Sequence, residues 1–174
     1  PPYSSAASDV YKRQNLHNAK KARTPVVNVI GDHATFHRKY DAPLSSDVAG
    51  IAAPVSGWLK ISESADDVAR DGAEAVQAAM APPGQVASLI LPADTAWNRT
   101  EASARPLPKV EVAAVDAAGV EAAAEALHSG RSTVLLMNGI LTESRLALAN
   151  RIAQKTGARI ISDTFISRMR RGAG

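Results

Sequence analysis

Short apolar runs alternate with helical patterns along most of the chain. VVNVI, VASLILP, STVLLM and ARIIS are apolar almost throughout, and Trp58, Leu59 and Ile61 form a shorter run of the same kind. An apolar run of this length, bounded by turn residues, is typical of a strand that is buried on both faces. The pattern therefore predicts five short strands, of which the first, VVNVI, is buried on both faces.

Helices are predicted between these strands from their caps and apolar spacing. Ser64, followed by two aspartates, is a predicted N-cap, because the helix dipole favours negative charge in the first turn. Later helices are predicted over roughly 116–128, closed by Gly130, and from the cap Thr142 to Gly157. NLHNAKKART is a shorter helix candidate, and DVAGIAAPVSG is a short helix or an irregular turn.

The alternation of strands and helices indicates an α/β fold with parallel sheets covered by helices on both faces. The stretch from Ala93 to Pro108 is polar and contains prolines, as interdomain linkers do. We therefore predict two partial three-layer domains with mainly parallel sheets flanked by helices, at residues 15–94 and 110–174, joined by a linker at 95–109. The strand–helix–strand unit of the second domain predicts a right-handed crossover.

The first fourteen residues, PPYSSAASDVYKRQ, differ from the rest of the chain. They are polar, show no apolar period and lack the apolar region of a secretory signal. They resemble a leader found fused to reading frames from fragmentary sequence assemblies, so we expect residues 1–14 to be a non-native leader and exclude them from fold prediction. Because RMRRGAG follows a strand-like run without a closing helix, we expect a piece of a longer protein.

Composition and charge exclude several classes of protein. Hydrophobic residues make up 45% and charged residues 21% of the 174-residue chain, which is ordinary globular usage. No apolar stretch approaches the roughly 20 residues that a membrane-spanning helix needs. The absence of cysteine excludes disulfides, thiol nucleophiles and thiolate metal sites. Residues 1–40 and 131–174 are basic and residues 41–130 are acidic, which argues against a contiguous nucleic-acid surface.

The segment GDHATFH, directly after VVNVI, is the strongest candidate for chemistry. It contains Gly31, Asp32, His33 and His37. Ligands of open parallel sheets bind beyond the carboxyl ends of the strands, and these side chains could donate and accept protons near neutral pH. The two histidines could instead bind a metal, but this spacing brings both rings to one face only on a helix, which Gly31 and Thr35 do not favour. Spacing alone favours a third interpretation, a polar loop bonded to its own backbone.

Other polar segments carry weaker signals. Asn138 and Gly139 precede a predicted helix and could face a phosphate, but the glycine pattern of a dinucleotide site is missing, which favours a structural turn. Arg168, Arg170 and Arg171 could contact an anion, although a solvated basic turn is the simpler interpretation. No serine lies in the Gly-x-Ser-x-Gly context of a hydrolase.

Several segments, taken in order, resemble one enzyme family. NLHNAKKARTPVVNVIGDH, DAPLSSDVAGIAAPVSGW and GQVASLILPAD are similar to the C-terminal part of the pyrimidine-binding domain of thiamine-diphosphate-dependent enzymes, above all of acetolactate synthase large subunit-like proteins. The segment that starts at LHSGRSTVLLMNG resembles the opening of their central, Rossmann-like domain. The resemblance covers residues 15–174 in the order of the family's domains.

This resemblance implies a cofactor site that the chain contains only in part. In the family, thiamine diphosphate lies between the first domain of one subunit and the third domain of its partner. A glutamate activates its aminopyrimidine ring, and a Gly-Asp-Gly…Asn motif holds Mg²⁺ and the diphosphate. That glutamate would lie upstream of Asn15, and the sequence has no Gly-Asp-Gly motif. We therefore assign no catalytic or metal-binding residue. The positions carried over as cofactor-binding are Gly31, Asp32, His33 and His37.

For the whole enzyme, the resemblance implies decarboxylation or carboligation of a small 2-keto acid by a cytoplasmic homodimer or homotetramer, with FAD as an optional second cofactor. Relatives that make acetolactate commonly carry a glutamine near Asp32 and His33, so this departure favours relatives with histidines there. We expect no nucleic-acid or membrane partner, no tight cofactor binding and no activity from this chain alone. The alternative hypothesis is a two-lobed module that binds a nucleotide or flavin without catalysis.

Overall fold

The structure is a computed structural model that describes residues 5–138, 140–166 and 168–169. The chain divides into two compact units, Pro1–Glu111 and Val112–Gly174. None of the helices in the described part of the chain is long and apolar enough to cross a membrane.

The first unit is built around a three-stranded parallel sheet. Its strands β1 (Val26–Asp32), β2 (Trp58–Ile61) and β3 (Val86–Pro92) lie in the order β1-β3-β2, and β1 and β3 are paired along their whole length. This arrangement confirms the predicted α/β class. In chain order the elements are α1 (Ser5–Ala22), β1 (Val26–Asp32), a 3-10 helix (Arg38–Tyr40), α2 (Val48–Ala52) with a further 3-10 turn (Ala53–Val55), β2 (Trp58–Ile61), α3 (Val68–Met80), β3 (Val86–Pro92) and α4 (Ala93–Trp97).

The core of this unit lies between α3 and the central strand β3. Ala75 and Ala79 of α3 pack against Ala87 and Leu89 of β3, and all four are buried. A helix that presents alanines can approach a sheet closely, but each alanine removes little apolar area from water. Because three of its four residues are alanines, this core is thin.

The predicted burial of the first strand on both faces is wrong. β1 alternates between half-buried and exposed positions, and Val27 and Val29 are 40% and 60% exposed. The exposed residues of β1 alternate and so share one face of the sheet, and on that face Val29 borders two open cavities. The strand VASLILP was predicted correctly as buried, because β3 has a neighbour on each side.

Three helix boundaries differ from the predicted ones. α1 begins at Ser5, ten residues before the predicted start, so part of the excluded segment is helical; its non-native origin stays a prediction. α3 begins at Val68, because Ser64 donates to the Asp67 carboxylate at 2.6 Å in a turn that precedes the helix. α4 occupies Ala93–Trp97, where a polar linker was expected to begin.

The second unit contains two pairs of parallel strands. β4 (Val134–Met137) pairs with β6 (Arg159–Ser162), and β5 (Ile140–Leu141) pairs with β7 (Arg168–Met169). The helix α6 (Glu143–Thr156) lies between β5 and β6 in the chain, which confirms the predicted strand–helix–strand order. Both caps of α6 are as predicted: the Thr142 hydroxyl accepts from the Arg145 amide, and Gly157 has a left-handed backbone conformation. The elements are α5 (Ala117–His128), β4 (Val134–Met137), β5 (Ile140–Leu141), α6 (Glu143–Thr156), β6 (Arg159–Ser162) and β7 (Arg168–Met169).

The two-stranded sheet of β4 and β6 exposes apolar side chains. Leu136 is 69% exposed on β4, and Ile160 and Ile161 are 40% and 42% exposed on β6. A central strand of an α/β domain normally buries such residues on both faces. The apolar sequences of β4 and β6 are thus typical of strands that are more deeply buried than the described residues bury them.

Gly84 forms the turn that leads into β3. Its replacement by alanine should lower the free energy of unfolding of the first unit by about 2 kcal/mol. Gly84 has φ +102°, and a Cβ there would lie 2.4 Å from the Arg23 carbonyl oxygen. Urea unfolding followed by tryptophan fluorescence measures this, since Trp58 and Trp97 both lie in the first unit. The control is Gly72→Ala inside α3, where a Cβ meets nothing within 4 Å and a gain of about 1 kcal/mol is expected. Equal effects of the two substitutions would contradict the assigned role of Gly84.

Candidate functional site

The carboxyl ends of β1 and β3 meet at one edge of the first sheet. Asp32, the last residue of β1, lies opposite Pro92 at the end of β3, and α4 starts at the next residue. The segment after β1 and the helix after β3 are therefore neighbours. This is the edge at which open parallel sheets bind ligands.

A pair of hydrogen bonds ties these two segments together. The Thr35 amide donates to Asp94 Oδ1 at 2.9 Å, and the Thr35 hydroxyl donates to Asp94 Oδ2 at 2.5 Å. Asp94 is only 9% exposed. The hydroxyl bond, followed by the amide bond, holds the pKa of the Asp94 carboxyl below its usual range. Asp94 is therefore a charged anchor for the segment that carries the two histidines.

Arg38 links the segment after β1 to the segment after β2. Arg38 Nε lies 3.3 Å from Asp32 Oδ2, and Arg38 Nη1 lies 3.8 Å from Oε2 of Glu63, which follows β2. The other oxygen of Asp32 accepts from the His33 amide at 2.8 Å. Asp32 thus accepts a hydrogen bond from the backbone of its own loop, as the interpretation of a polar loop predicts. It is also ion-paired to Arg38.

His33 and His37 lie side by side at this edge. Their ring centroids are 5.3 Å apart and the ring planes differ by 17°, so the rings are stacked. The expectation that only a helix brings both rings together is wrong: the His37 amide donates to the Ala34 carbonyl at 2.8 Å in a tight turn. The ring of Tyr40 is nearly perpendicular to that of His37, with the two centroids 6.2 Å apart. The pair therefore rests on a turn rather than on a helix.

All four predicted site residues line one cavity of about 700 Å³ at this edge. Gly31 and Asp32 come from the end of β1, and His33 and His37 come from the turn. The remaining lining residues are mostly apolar and come from β1, the turn itself, the loop before α2, the start of α2, the end of β3 and α4; they are Val29, Ala34, Phe36, Leu44, Ser46, Val48, Leu91, Ala93, Ala96 and Trp97. A cavity of this size and lining suits a small organic molecule, with imidazole and hydroxyl groups that orient it.

The sequence pattern missed part of this site, namely Thr35, Asp94 and Trp97. Asp94 follows the strand VASLILP just as Asp32 follows VVNVI, so the rule that led to Asp32 also applies to Asp94. The prolines and polar residues around positions 93–108 instead indicated a linker. Only the pairing of β1 with β3 shows that Asp94 reaches Thr35.

The weaker candidates do not join this site. A second cavity, of about 480 Å³, is lined by residues of α1, β1 and the α2 region and shares Val29, Gly31 and Val48 with the first. The Asn138 side-chain amide donates to Asp163 at 3.1 Å in the second unit. Gly139, Arg170 and Arg171 lie outside the described residues. Within residues 5–138, 140–166 and 168–169, no three His, Asp or Glu side chains cluster so as to hold a metal ion.

Comparison with known proteins supports the resemblance seen in the sequence. The chain is 48% identical over 162 residues to a protein of Mycobacterium tuberculosis that bears the provisional name acetolactate synthase large subunit IlvX, and the match covers 92% of the chain and 31% of that protein. No family model matches the chain. The chain therefore spans about a third of the length of this curated relative.

Two solved structures share its fold. A structure from Mycobacterium smegmatis, described provisionally as a thiamin diphosphate-dependent enzyme, matches 94% of the chain with a TM-score of 0.71 and 23% identity. A thiamine diphosphate-dependent 4-hydroxybenzoylformate decarboxylase of Rhodococcus jostii RHA1 matches 88% of the chain with a TM-score of 0.64 and 22% identity. The chain covers 32% and 30% of these two structures. Its likeness to acetolactate synthase large subunit-like proteins is thus confirmed in sequence, and its α/β fold is that of one portion of thiamine-diphosphate-dependent enzymes.

Proposed function

We propose that this chain forms part of a thiamine-diphosphate-dependent enzyme that decarboxylates or carboligates a 2-keto acid. The observation that carries the proposal is the 48% identity over nearly the whole chain to one third of an acetolactate synthase large subunit-like protein. The exposed apolar positions of β1, β4 and β6 support it, because further parts of a larger protein would cover them.

In this proposal the chain supplies the cofactor-binding part of the active site, which is lined by Gly31, Asp32, His33 and His37. The imidazole groups of His33 and His37 can hold or move a proton there. The bonds between Thr35 and Asp94 fix the turn that carries both rings. The apolar lining offers contact surface to the apolar part of a bound molecule.

The residues of this chain do not fit the charged end of the cofactor. The sequence has no Gly-Asp-Gly motif, and the described side chains form no acidic or histidine cluster that suits Mg²⁺. Thiamine diphosphate, when bound to a whole enzyme of this kind, supplies the electron sink for the reaction. Its diphosphate and metal site and its activating glutamate belong to other parts of the proposed enzyme. We propose that this enzyme is a cytoplasmic homodimer or homotetramer with FAD as an optional second cofactor.

The coding sequence on either side of this chain in its source genome tests the proposal. We expect a segment with the glutamate that activates the aminopyrimidine ring upstream of the codon for Asn15. Downstream of the codon for Gly174 we expect a Gly-Asp-Gly…Asn motif. Flanks that encode unrelated proteins and neither feature would overturn the proposal.

Thermal-shift measurements on the purified chain separate the proposal from a nucleotide- or flavin-binding module. A ligand that binds only the folded state raises the unfolding temperature. We expect no shift with thiamine diphosphate, FAD or an adenine nucleotide at concentrations of about 1 mM. A magnesium-independent shift with FAD or the nucleotide would favour the module instead.

A further inference from the structure

We propose that Arg38 is a positioning residue that pairs with Asp32 and thereby holds the two histidine rings of the site against each other. This inference rests on the proposed function of the same site, since it concerns the two imidazole groups assigned to the cofactor-binding part. It adds a residue that lies outside the cavity and acts through its neighbours.

Arg38 and Asp32 flank the segment that carries both histidines. Asp32 directly precedes His33, and Arg38 directly follows His37 as the first residue of the 3-10 helix. Arg38 Nε lies 3.3 Å from Asp32 Oδ2, and the two side chains are 31% and 15% exposed. A partly buried ion pair is screened less by salt than a pair on the surface. The pair therefore joins the two ends of the segment 32–38 and limits the conformations open to it.

The middle of the segment 32–38 has an anchor of its own. The Thr35 amide and hydroxyl bond to Asp94, which ties the midpoint of the segment to α4. Those bonds do not fix the distance between the two ends of the segment, where the histidines lie. The histidine rings are nevertheless stacked, with their centroids 5.3 Å apart. The ion pair accounts for this arrangement, because it brings the two ends together.

Carboxylates at the ends of all three strands of the first sheet lie near the Arg38 guanidinium. Asp32 is the last residue of β1, and Glu63, which follows β2, places Oε2 3.8 Å from Arg38 Nη1. Asp94 follows β3; the hydrogen bonds from Thr35 chiefly hold the pKa of its carboxyl low, and the Arg38 charge lowers that pKa further. Three like charges at one edge repel one another unless a cation lies among them. Arg38 therefore offsets this repulsion at the edge that carries the histidine turn.

The guanidinium acts through its charge rather than through hydrogen bonds. Arg38 Nε and Nη2 are buried and have no hydrogen-bond partner among the described residues. Lysine is a poor substitute for arginine where the guanidinium binds one carboxylate with two donors or stacks on a ring. Arg38 instead contacts two different carboxylates with one nitrogen each. Lysine should therefore replace it, whereas glutamine, which carries no charge, should not.

Arg38 acts on the site from outside the cavities. It lines neither the cavity of about 700 Å³ nor that of about 480 Å³. Its Nε and Nη2 atoms are already covered by this chain, so they are not free to contact a bound molecule. Its effect on the site must pass through Asp32 and the turn, which makes it a positioning residue and not a catalytic one.

NMR spectroscopy of the 174-residue chain tests the inference. The stacked rings of His33 and His37 should give nuclear Overhauser cross-peaks between their ring protons. We expect Arg38→Gln to lose these cross-peaks and Arg38→Lys to keep them, because lysine restores the charge. Rescue by lysine but not by glutamine separates an ionic tie from simple packing of the side-chain stem.

Exchange of the His37 amide with solvent gives a second, graded readout. This amide donates to the Ala34 carbonyl at 2.8 Å within the turn. It should exchange roughly threefold faster or more in Arg38→Gln and in Asp32→Asn. Because the two side chains act as one pair, the double variant should exchange no faster than either single variant. Asp32→Asn also carries the test if Arg38→Gln does not fold.

Arg70→Gln is the matched control. Arg70 lies in the same unit, and its Nη2 lies 2.6 Å from Asp67 Oδ1 and 3.1 Å from Asp71 Oδ1, so this substitution also removes a paired guanidinium. Its carboxylate partners belong to α3 and the turn before it and not to the histidine turn. We expect the cross-peaks and the exchange of the His37 amide to stay unchanged.

Cross-peaks that persist in Arg38→Gln, their equal loss in Arg38→Lys, or exchange in the double variant that multiplies the two single effects would each overturn the inference. Absence of the cross-peaks from the unsubstituted chain would overturn it as well. Each of these outcomes leaves the proposed function standing if the flanking coding sequence carries the glutamate and the Gly-Asp-Gly motif. Flanks that lack both would overturn the function whatever the NMR spectra show.

Discussion

Replacement of Asp71 by alanine is expected to lower the free energy of unfolding of the first unit by about 3 kcal/mol at pH 7. Asp71 is 1% exposed on α3. Its Oδ1 lies 2.9 Å from Lys60 Nζ and 3.1 Å from Arg70 Nη2, and its Oδ2 accepts from the Ser62 hydroxyl at 2.9 Å. Removal of the carboxylate leaves the fully buried hydroxyl of Ser62 without this partner.

The two cations limit the size of this effect. The side chains of Lys60 and Arg70 are 33% and 59% exposed, so both can turn to water when Asp71 is removed. The expected loss therefore lies at the lower end of the range for a broken buried ion pair. Since the core of this unit consists largely of alanine, a loss of this size is a large part of the stability of a small domain.

The effect of Asp71→Ala should also depend on pH. Burial raises the pKa of the Asp71 carboxyl, but the hydrogen bonds from Lys60, Ser62 and Arg70 outweigh burial and hold that pKa below its ordinary value of 3.8. A carboxyl with a lowered folded-state pKa stabilises the protein fully above its unfolded pKa, and this contribution is lost as pH falls through the folded pKa. The difference between the two proteins should thus be constant from pH 7 to about 5 and shrink below about pH 4.

Urea unfolding monitored by tryptophan fluorescence at several pH values measures both effects. The control is Asp67→Ala, because Asp67 also pairs with Arg70, at 2.6 Å, but its side chain is 27% exposed. We expect a clearly smaller change in the urea midpoint for this control. A midpoint for Asp71→Ala that equals that of the control, or a difference that grows in acid, would contradict the assigned role of the buried carboxylate.

Replacement of Asp94 by alanine is expected to release the turn that carries His33 and His37. Both hydrogen bonds from Thr35 are lost, and no other bond between this turn and α4 is present among the described residues. The Thr35 amide should exchange with solvent roughly tenfold faster or more, because a bond to a charged acceptor is lost. Hydrogen exchange followed by NMR measures this.

Asp66→Ala is a matched control for Asp94→Ala. Asp66 also accepts from a threonine hydroxyl, that of Thr100, at 2.5 Å, but both of these residues are exposed. We expect its removal to leave exchange at Thr35 unchanged. Protection of the Thr35 amide that persists in Asp94→Ala would show that the turn is held by other contacts, and the account of the site would then be wrong.

Much of the fold could be predicted because its strands are short apolar runs between well-marked helix ends. β3 and α6 show this most clearly: VASLILP is buried as expected, and Thr142 and Gly157 bound their helix as the sequence indicates. These features are local, since caps and apolar runs act within a few residues of each other.

The features that were missed depend on distant parts of the chain. Nothing in VVNVI shows that one face of β1 is left exposed, so the exposure of Val29 could not be predicted from its own sequence. The bond between Thr35 and Asp94 joins residues 59 positions apart. The stacking of His33 on His37 depends on one tight turn, which their spacing alone does not specify.

Release of CO₂ from benzoylformate and pyruvate shows whether this chain is part of a thiamine-diphosphate-dependent enzyme, when the chain is compared with the protein encoded by the complete reading frame around it. We expect release by the complete protein only when thiamine diphosphate and Mg²⁺ are present, and none by the 174-residue chain under the same conditions. Turnover by the chain alone, or turnover by the complete protein that does not depend on thiamine diphosphate, would contradict it.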